Sequence, residues 1–228
     1  MTEISVQSLD HVALWVDGRD PLASFLCDHL GMHEIERDEK FTLVGVDARQ
    51  GKLTLFEAEG PRERGVLERI VLRVRDLDAA VAAMPSHVDL VHTSSGAEFE
   101  VPEGLRLGLV ERDGLDYDLD HVVLRTPEAE HTADRLSQLG LQRRNGALEI
   151  ADRRVVVEGG GEPEAERPLL NHLALLVQSV EQVQAEAVGK GFEIDKVVDA
   201  ENTVAVFVRG PDDIVVEFVE HKPGFSLE

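Results

Sequence analysis

The feature that most limits how this chain can fold is a unit that recurs four times along it. Leu9-Asp10-His11-Val12 returns almost unchanged as Leu119-Asp120-His121-Val122. Leu67-Glu68-Arg69-Ile70 and Asn171-His172-Leu173-Ala174 open two further copies, so the equivalent positions are 11, 69, 121 and 172. Each opening leads into alternating or continuous apolar residues, the pattern of a strand. In the first copy a helix follows, with Asp20 expected at its cap and Pro21 at its first position. Leu22, Phe25, Leu26 and Leu30 recur at helical spacing until Gly31 stops it, and strands are read over 32–36, 41–46 and 52–58. The second copy places a helix over 76–84 and strands near 87–92, 98–101 and 105–111; the third places a helix over 127–139 and a last strand over 153–158. The fourth has its helix from Val180 to Gly189. Arg112-Asp113-Gly114 marks the expected join between halves, and Gly159-Gly160-Gly161-Glu162-Pro163 has the composition of a linker.

A turn, Gly210-Pro211-Asp212-Asp213, feeds the final strand, Ile214 to Glu220. Alternation sets Glu217 among valines in mid-strand, where a carboxylate without a cation is costly. That cation is an Arg, a Lys or a metal. His121 and His172 stand near the starts of two other strands, and the three are expected to converge on one divalent metal. His29, His33, His87, His92, His131 and His221 have no such partners and default to surface or cap roles.

Composition narrows the function classes. The 228 residues suffice for one large or two small cored domains, and 43% hydrophobic content is that of a globular protein. A formal charge of -22 argues against partners that are nucleic acids or anionic membranes, since no basic stripe exists to neutralise phosphates. A solvated acidic surface explains that charge, with adaptation to high salt as the other reading. The single cysteine, Cys27, excludes a disulfide framework and any cysteine-built metal site. No signal-like N-terminal segment and no apolar run of membrane-spanning length are present, so the expected location is the cytoplasm.

The repeated βαβββ unit, the early His in a module's first strand, and Pro211-Asp212-Asp213 followed by Glu217 resemble the vicinal oxygen chelate (VOC) superfamily over residues 7–221. That group includes glyoxalase I, extradiol dioxygenases, methylmalonyl-CoA epimerase and the fosfomycin and bleomycin resistance proteins. The resemblance implies an α+β fold in which four modules pair into two half-barrel, glyoxalase-like domains. Residues 1–114 are expected to form a structural pair and 115–228 the pair that carries the metal. It further implies ligands from the first and last strands of each module. These are His121, His172, Glu217 and Glu158, the last matched to Glu217 through Val155-Val156-Val157-Glu158 and Ile214-Val215-Val216-Glu217. One divalent ion (Fe, Mn, Zn, Co or Ni) suits such donors. The N-terminal equivalents are His11, Glu57, Arg69 and Gly108. A guanidinium cannot coordinate a metal, so Arg69 is expected to pair with Glu57, and His11 is read as a residue retained by the fold.

For function, the resemblance implies a metal-dependent enzyme acting on a small substrate with adjacent oxygens. The four-ligand set favours a glyoxalase- or epimerase-like lyase or isomerase, with Glu158 or Glu217 as the base and room for a homodimer. The alternative is type I extradiol, catechol 2,3-dioxygenase-like ring cleavage. That family's signature asks for a Tyr where this chain has Phe207, and for a preceding His that residues 198–203 lack. A third reading is a non-catalytic small-molecule binder of the bleomycin-resistance type, which an aromatic content of 4% makes less apt.

Overall fold

The computed structural model describes residues 4–161 and 165–225, so Glu162 and Pro163 of the expected linker lie outside the described residues. Four modules repeat one element order. The first comprises β1 (Val6–Val16), α1 (Arg19–His29), β2 (His33–Arg37), β3 (Phe41–Gly45) and β4 (Lys52–Glu57). The second comprises β5 (Leu67–Val74), α2 (Leu77–Ala83), β6 (Val91–His92), β7 (Gly96–Val101) and β8 (Leu105–Glu111). The third is β9 (Asp118–Thr126), α3 (Ala129–Ser137), β10 (Gln142–Arg144), β11 (Ala147–Ile150) and β12 (Arg153–Gly159). The fourth is β13 (Leu170–Val177), α4 (Val180–Gly189), β14 (Glu193–Asp199), β15 (Thr203–Arg209) and β16 (Val215–His221).

Local chemistry sets most of these limits. Asp76 caps α2 by accepting from the Ala79 amide at 2.9 Å, and Ser179 does the same for α4 through Gln182 at 3.2 Å. α1 starts earlier than expected, because extended Gly18 takes the cap position. Asp20 instead lies in the first turn, where it pairs with Arg37 at 2.7 Å. Pro21 stays within that turn, where a missing N–H leaves no intrahelical bond unmade. Gly31, at φ +59°, reverses the chain beyond the helix.

Each first strand has one face in the core and the other turned away from the helices. In β1 the core side is Leu9, Val12, Leu14 and Val16; in β13 it includes Leu173, Leu175 and Val177. Leu22, Leu26 and Leu30 of the first module, Leu136 of α3 and Val183 of α4 join the same core. His11, Ala13 and Trp15, and likewise His172, Ala174 and Leu176, fall on the opposite, concave face by alternation.

The two eight-stranded sheets are not built from consecutive modules. One runs β14-β15-β16-β13-β1-β4-β3-β2 and joins the fourth module to the first; the other runs β10-β11-β12-β9-β5-β8-β7-β6 and joins the third to the second. The expected pairing of 1–114 with itself and 115–228 with itself is therefore corrected. Arg112-Asp113-Gly114 lies within one sheet, as the β8–β9 connection, and the connections between sheets include residues 58–66 and 165–169. These two crossings run side by side: the Glu63 amide donates to the Arg167 carbonyl at 2.9 Å, and the Leu169 amide to the Glu63 carbonyl at 2.7 Å. The physical reason is that each first strand needs an antiparallel partner, and any other first strand offers the same apolar edge. β1 takes β13 and β5 takes β9. No helix among the described residues is long and apolar enough to cross a membrane.

Candidate metal centre

His11, His172 and Glu217 meet on the concave face of the first sheet. Registry brings them together. His11 lies opposite Ala174 and His172 opposite Ala13 across the β1–β13 seam, so the imidazoles are diagonal neighbours with only methyl groups facing them. Glu217 lies beside Ala174 on β16, in the same cross-strand row as His11. The two Nε2 atoms are 3.1 Å apart, and Glu217 Oε2 is 2.8 Å from His172 Nε2 and 3.3 Å from His11 Nε2.

Such separations fit a shared ion, since two atoms each about 2.1 Å from one metal stand about 3.0–3.4 Å apart at right or tetrahedral angles. The rings are also aimed for it. Asp10 Oδ1 holds His11 Nδ1 at 2.7 Å and Asn171 Oδ1 holds His172 Nδ1 at 3.0 Å, which leaves both Nε2 atoms for the cluster. Asp10 is buried in turn, with Lys52 Nζ at 3.1 Å and His221 Nε2 at 3.6 Å. Side-chain exposures of 15% for His11, 10% for Glu217 and 5% for His172 leave the cluster mostly buried but still in contact with solvent.

Electrostatics make the same point. Burial opposes the charge on Glu217, but hydrogen bonds from His11 and His172 outweigh it and hold the carboxyl at about 2. Burial alone would lower His11; its bonds to Asp10 and Glu217 prevail, and the imidazolium persists to about pH 9. His172 is pushed down, first by burial. Without an ion, a proton on His11 is thus the cation that the mid-strand carboxylate requires. A folded-state pKa above the ordinary 6.5 contributes stability that is complete below pH 6.5 and lost as pH rises through 9. Metal-free protein should therefore lose roughly 2–3 kcal/mol of stability over that interval, read as a falling urea midpoint, while His11→Gln stays nearly flat. Because metal competes with that proton, divalent-ion affinity should rise across the same window.

Two of the sequence-based site residues are elsewhere. His121 lies on β9 in the other sheet, with its Nδ1 on Asp120 at 2.6 Å and Arg154 beside both. Its local sequence matches that of His11, but its neighbours do not. The positions equivalent to His11, His172, Glu217 and their fourth partner are, in this sheet, Arg69, His121, Val156 and Gly108, among which no carboxylate occurs. The equivalence of Glu158 with Glu217 is two residues out of register. Glu217 lies opposite the residue two beyond His172, whereas Glu158 lies opposite Arg125, four beyond His121. Two residues of strand are about 6.6 Å, enough to remove a side chain from a metal. Glu158 instead bonds Arg69 and Arg125, each at 3.1 Å. These guanidinium groups overcome burial and keep it below its ordinary pKa.

In the first sheet the fourth position belongs to Thr54, opposite Ala13, and not to Glu57. Glu57 lies beside Val16 on the helix-facing side and pairs with Arg19 at 2.7 Å, so the expected Arg69–Glu57 pair does not form. The Thr54 hydroxyl is buried and makes no hydrogen bond. Around the cluster stand Phe207 and Phe56, with ring centroids 5.2 and 6.2 Å from that of His172, and Trp15 and Phe41 pack on Phe56. Four of the ten aromatic residues gather here. Trp15, two alternations beyond His11, was the legible sign of this wall; Phe41 and Phe56 become neighbours only through the β3–β4 register.

Comparison with known proteins agrees with this architecture. Glyoxalase I from Zea mays superposes with a TM-score of 0.75 at 18% identity, over 95% of this chain and 92% of that one. A protein from Bacillus subtilis subsp. subtilis str. 168, provisionally named a dioxygenase, superposes with a TM-score of 0.79 at 16% identity, over 97% and 87%. The sequence matches none of the curated proteins. The model of the Glyoxalase/Bleomycin resistance protein/Dioxygenase superfamily matches residues 8–146, more than half of the sequence, and the chain, built of four βαβββ modules, belongs to that family.

Proposed function

We propose that the protein is a divalent-metal-dependent enzyme in which His11, His172 and Glu217 hold the ion, and that it cleaves small vicinal diols with dioxygen. The observation that carries this reading is the donor set: two imidazoles and one carboxylate, with Thr54 in the fourth position. A 2-His-1-carboxylate set with open positions suits Fe(II) or Mn(II) and, when loaded, supplies adjacent sites for substrate oxygens and dioxygen. The protein's own groups do the rest. Asp10 and Asn171 fix the imidazole orientations, and Phe56, Phe207, Phe41 and Trp15 offer flat apolar walls that orient a ring and exclude water.

A lyase or isomerase is the second reading. It is favoured by the carboxylate at Glu217, which would have to act as both ligand and base now that Glu158 is committed to Arg69 and Arg125. One experiment separates the two. Iron(II)-loaded protein, prepared without air, is mixed with a catechol panel in an oxygen electrode, and the ring-cleavage chromophore is followed. Stoichiometric oxygen uptake that is absent in His11→Ala supports cleavage. No uptake, together with metal-dependent exchange of solvent deuterium into an α-hydroxyketone, would transfer the assignment to the isomerase reading.

A further inference from the structure

We infer that Lys196 is the specificity residue of this site and that the substrate carries an anionic group, a carboxylate, beyond its vicinal oxygens; this rests on the metal-site reading above. One cross-strand row links the two. Lys196 on β14 pairs with Phe207 on β15, Phe207 with Glu217 on β16, Glu217 with Ala174 on β13, and Ala174 with His11 on β1. Directly paired residues project from the same face of a sheet, so Lys196 shares the concave face with the ligands.

Its side chain leans inward along that row. The ammonium stands 4.3 Å from the centroid of the Phe207 ring, and that ring meets the His172 ring edge-on at 5.2 Å. One aromatic ring therefore separates the cation from a metal-binding imidazole. Nearby acids do not neutralise it. Asp195 and Glu193 on the same strand are engaged by Arg209, and Asp199 by Lys222. Among the described residues no carboxylate lies within ion-pair distance of Lys196, in a chain whose net charge is -22. A lone, strongly hydrated cation held against a ring at the edge of an apolar wall is a receptor for an anion brought by the substrate.

The wall shows where the substrate's body would lie. Ala205, Phe207 and Val219 form a small apolar cluster, with Leu176 and Val215 packed on it, on the concave side of the fourth module. A flat ring chelating through two oxygens at the His11–His172–Glu217 centre would rest on Phe207 and direct a ring substituent toward the ammonium. Phe207 thus separates the two recognition elements, and Lys196 sets which substituted diol is preferred.

The test compares catechol with 3,4-dihydroxybenzoate by calorimetry, using metal-loaded wild type and Lys196→Met, each checked for metal content. Wild type should bind the carboxylated diol about three- to fivefold more tightly than catechol, in line with one solvent-exposed ionic contact. In Lys196→Met that preference should disappear while the metal content and the catechol affinity stay unchanged; Lys196→Arg should restore part of it. Metal-dependent binding of both probes with no preference, or a preference that survives Lys196→Met, overturns the role of Lys196 and leaves the metal site standing. Absence of metal-dependent binding for both probes overturns the metal-site reading and this inference with it.

Discussion

His11→Ala and His172→Ala should each abolish stoichiometric metal retention, while His121→Ala and Glu158→Gln should leave it unchanged. Each ligand of a protein-bound divalent ion carries on the order of 3 kcal/mol of the binding free energy, so losing one weakens affinity more than a hundredfold. His11, His172 and Glu217 lie within bonding reach of one point, and Asp10 and Asn171 hold both Nε2 atoms toward it. His121 has an equivalent acid at Asp120, but its cross-strand surroundings supply Arg69, Val156 and Gly108. Glu158 answers to two guanidinium groups. The measurement is elemental analysis after dialysis against a weak chelator, with folding monitored by circular dichroism. Retention by His11→Ala together with loss by His121→Ala would move the metal to the other sheet and overturn the site.

Lys52→Met should destabilise the protein by about 3–5 kcal/mol, the cost of leaving one member of a buried ion pair uncompensated. Lys52 is 1% exposed and Asp10 4%, with 3.1 Å between Nζ and Oδ2. Burial works against the Asp10 charge, and the side-chain bonds from His11 and His221 with the charge of Lys52 keep it far below the ordinary carboxylate range. Removing the ammonium strands that charge beside the His11–His172–Glu217 cluster. The double variant Asp10→Asn/Lys52→Met should regain much of the loss, because it removes both charges at once. Arg143→Met, which breaks an exposed pair with Glu130 and Asp134, should change stability by no more than about 0.5 kcal/mol. Urea unfolding of the metal-free proteins at pH 6 measures all three. A loss below about 1 kcal/mol for Lys52→Met would mean that His11 and His221 suffice to hold Asp10.

The same acid–cation device recurs around the molecule. Asp10 faces Lys52, Asp120 faces Arg154, and Glu68 faces Arg106 at 2.8 Å, each cation coming from the last strand of the acid's own module. In the fourth module both members are neutral, Asn171 and Val215. The device belongs to the repeated module, and the candidate metal site draws on it in one place: Asp10 carries the charge that steers His11, while Asn171 orients His172 without adding a second buried charge.

The local pattern by itself determined the modules, because alternation, helical spacing and turn residues act over a few neighbouring positions. It also singled out His172 and Glu217, since an acid among valines and a histidine in an apolar strand are anomalies visible without a partner. It could not choose between His11 and His121. Both stand in Leu-Asp-His-Val, and either would complete a site with His172 and Glu217, depending on which first strand lies against β13. That choice is a long-range one between similar apolar edges, made here with the two crossing segments hydrogen-bonded side by side. Register was hidden for the same reason. Sliding Glu158 by two residues keeps it on the same face, so alternation cannot tell a ligand from an ion-pair partner; only the strand opposite, by placing Ala174 beside Glu217 and Arg125 beside Glu158, decides between them.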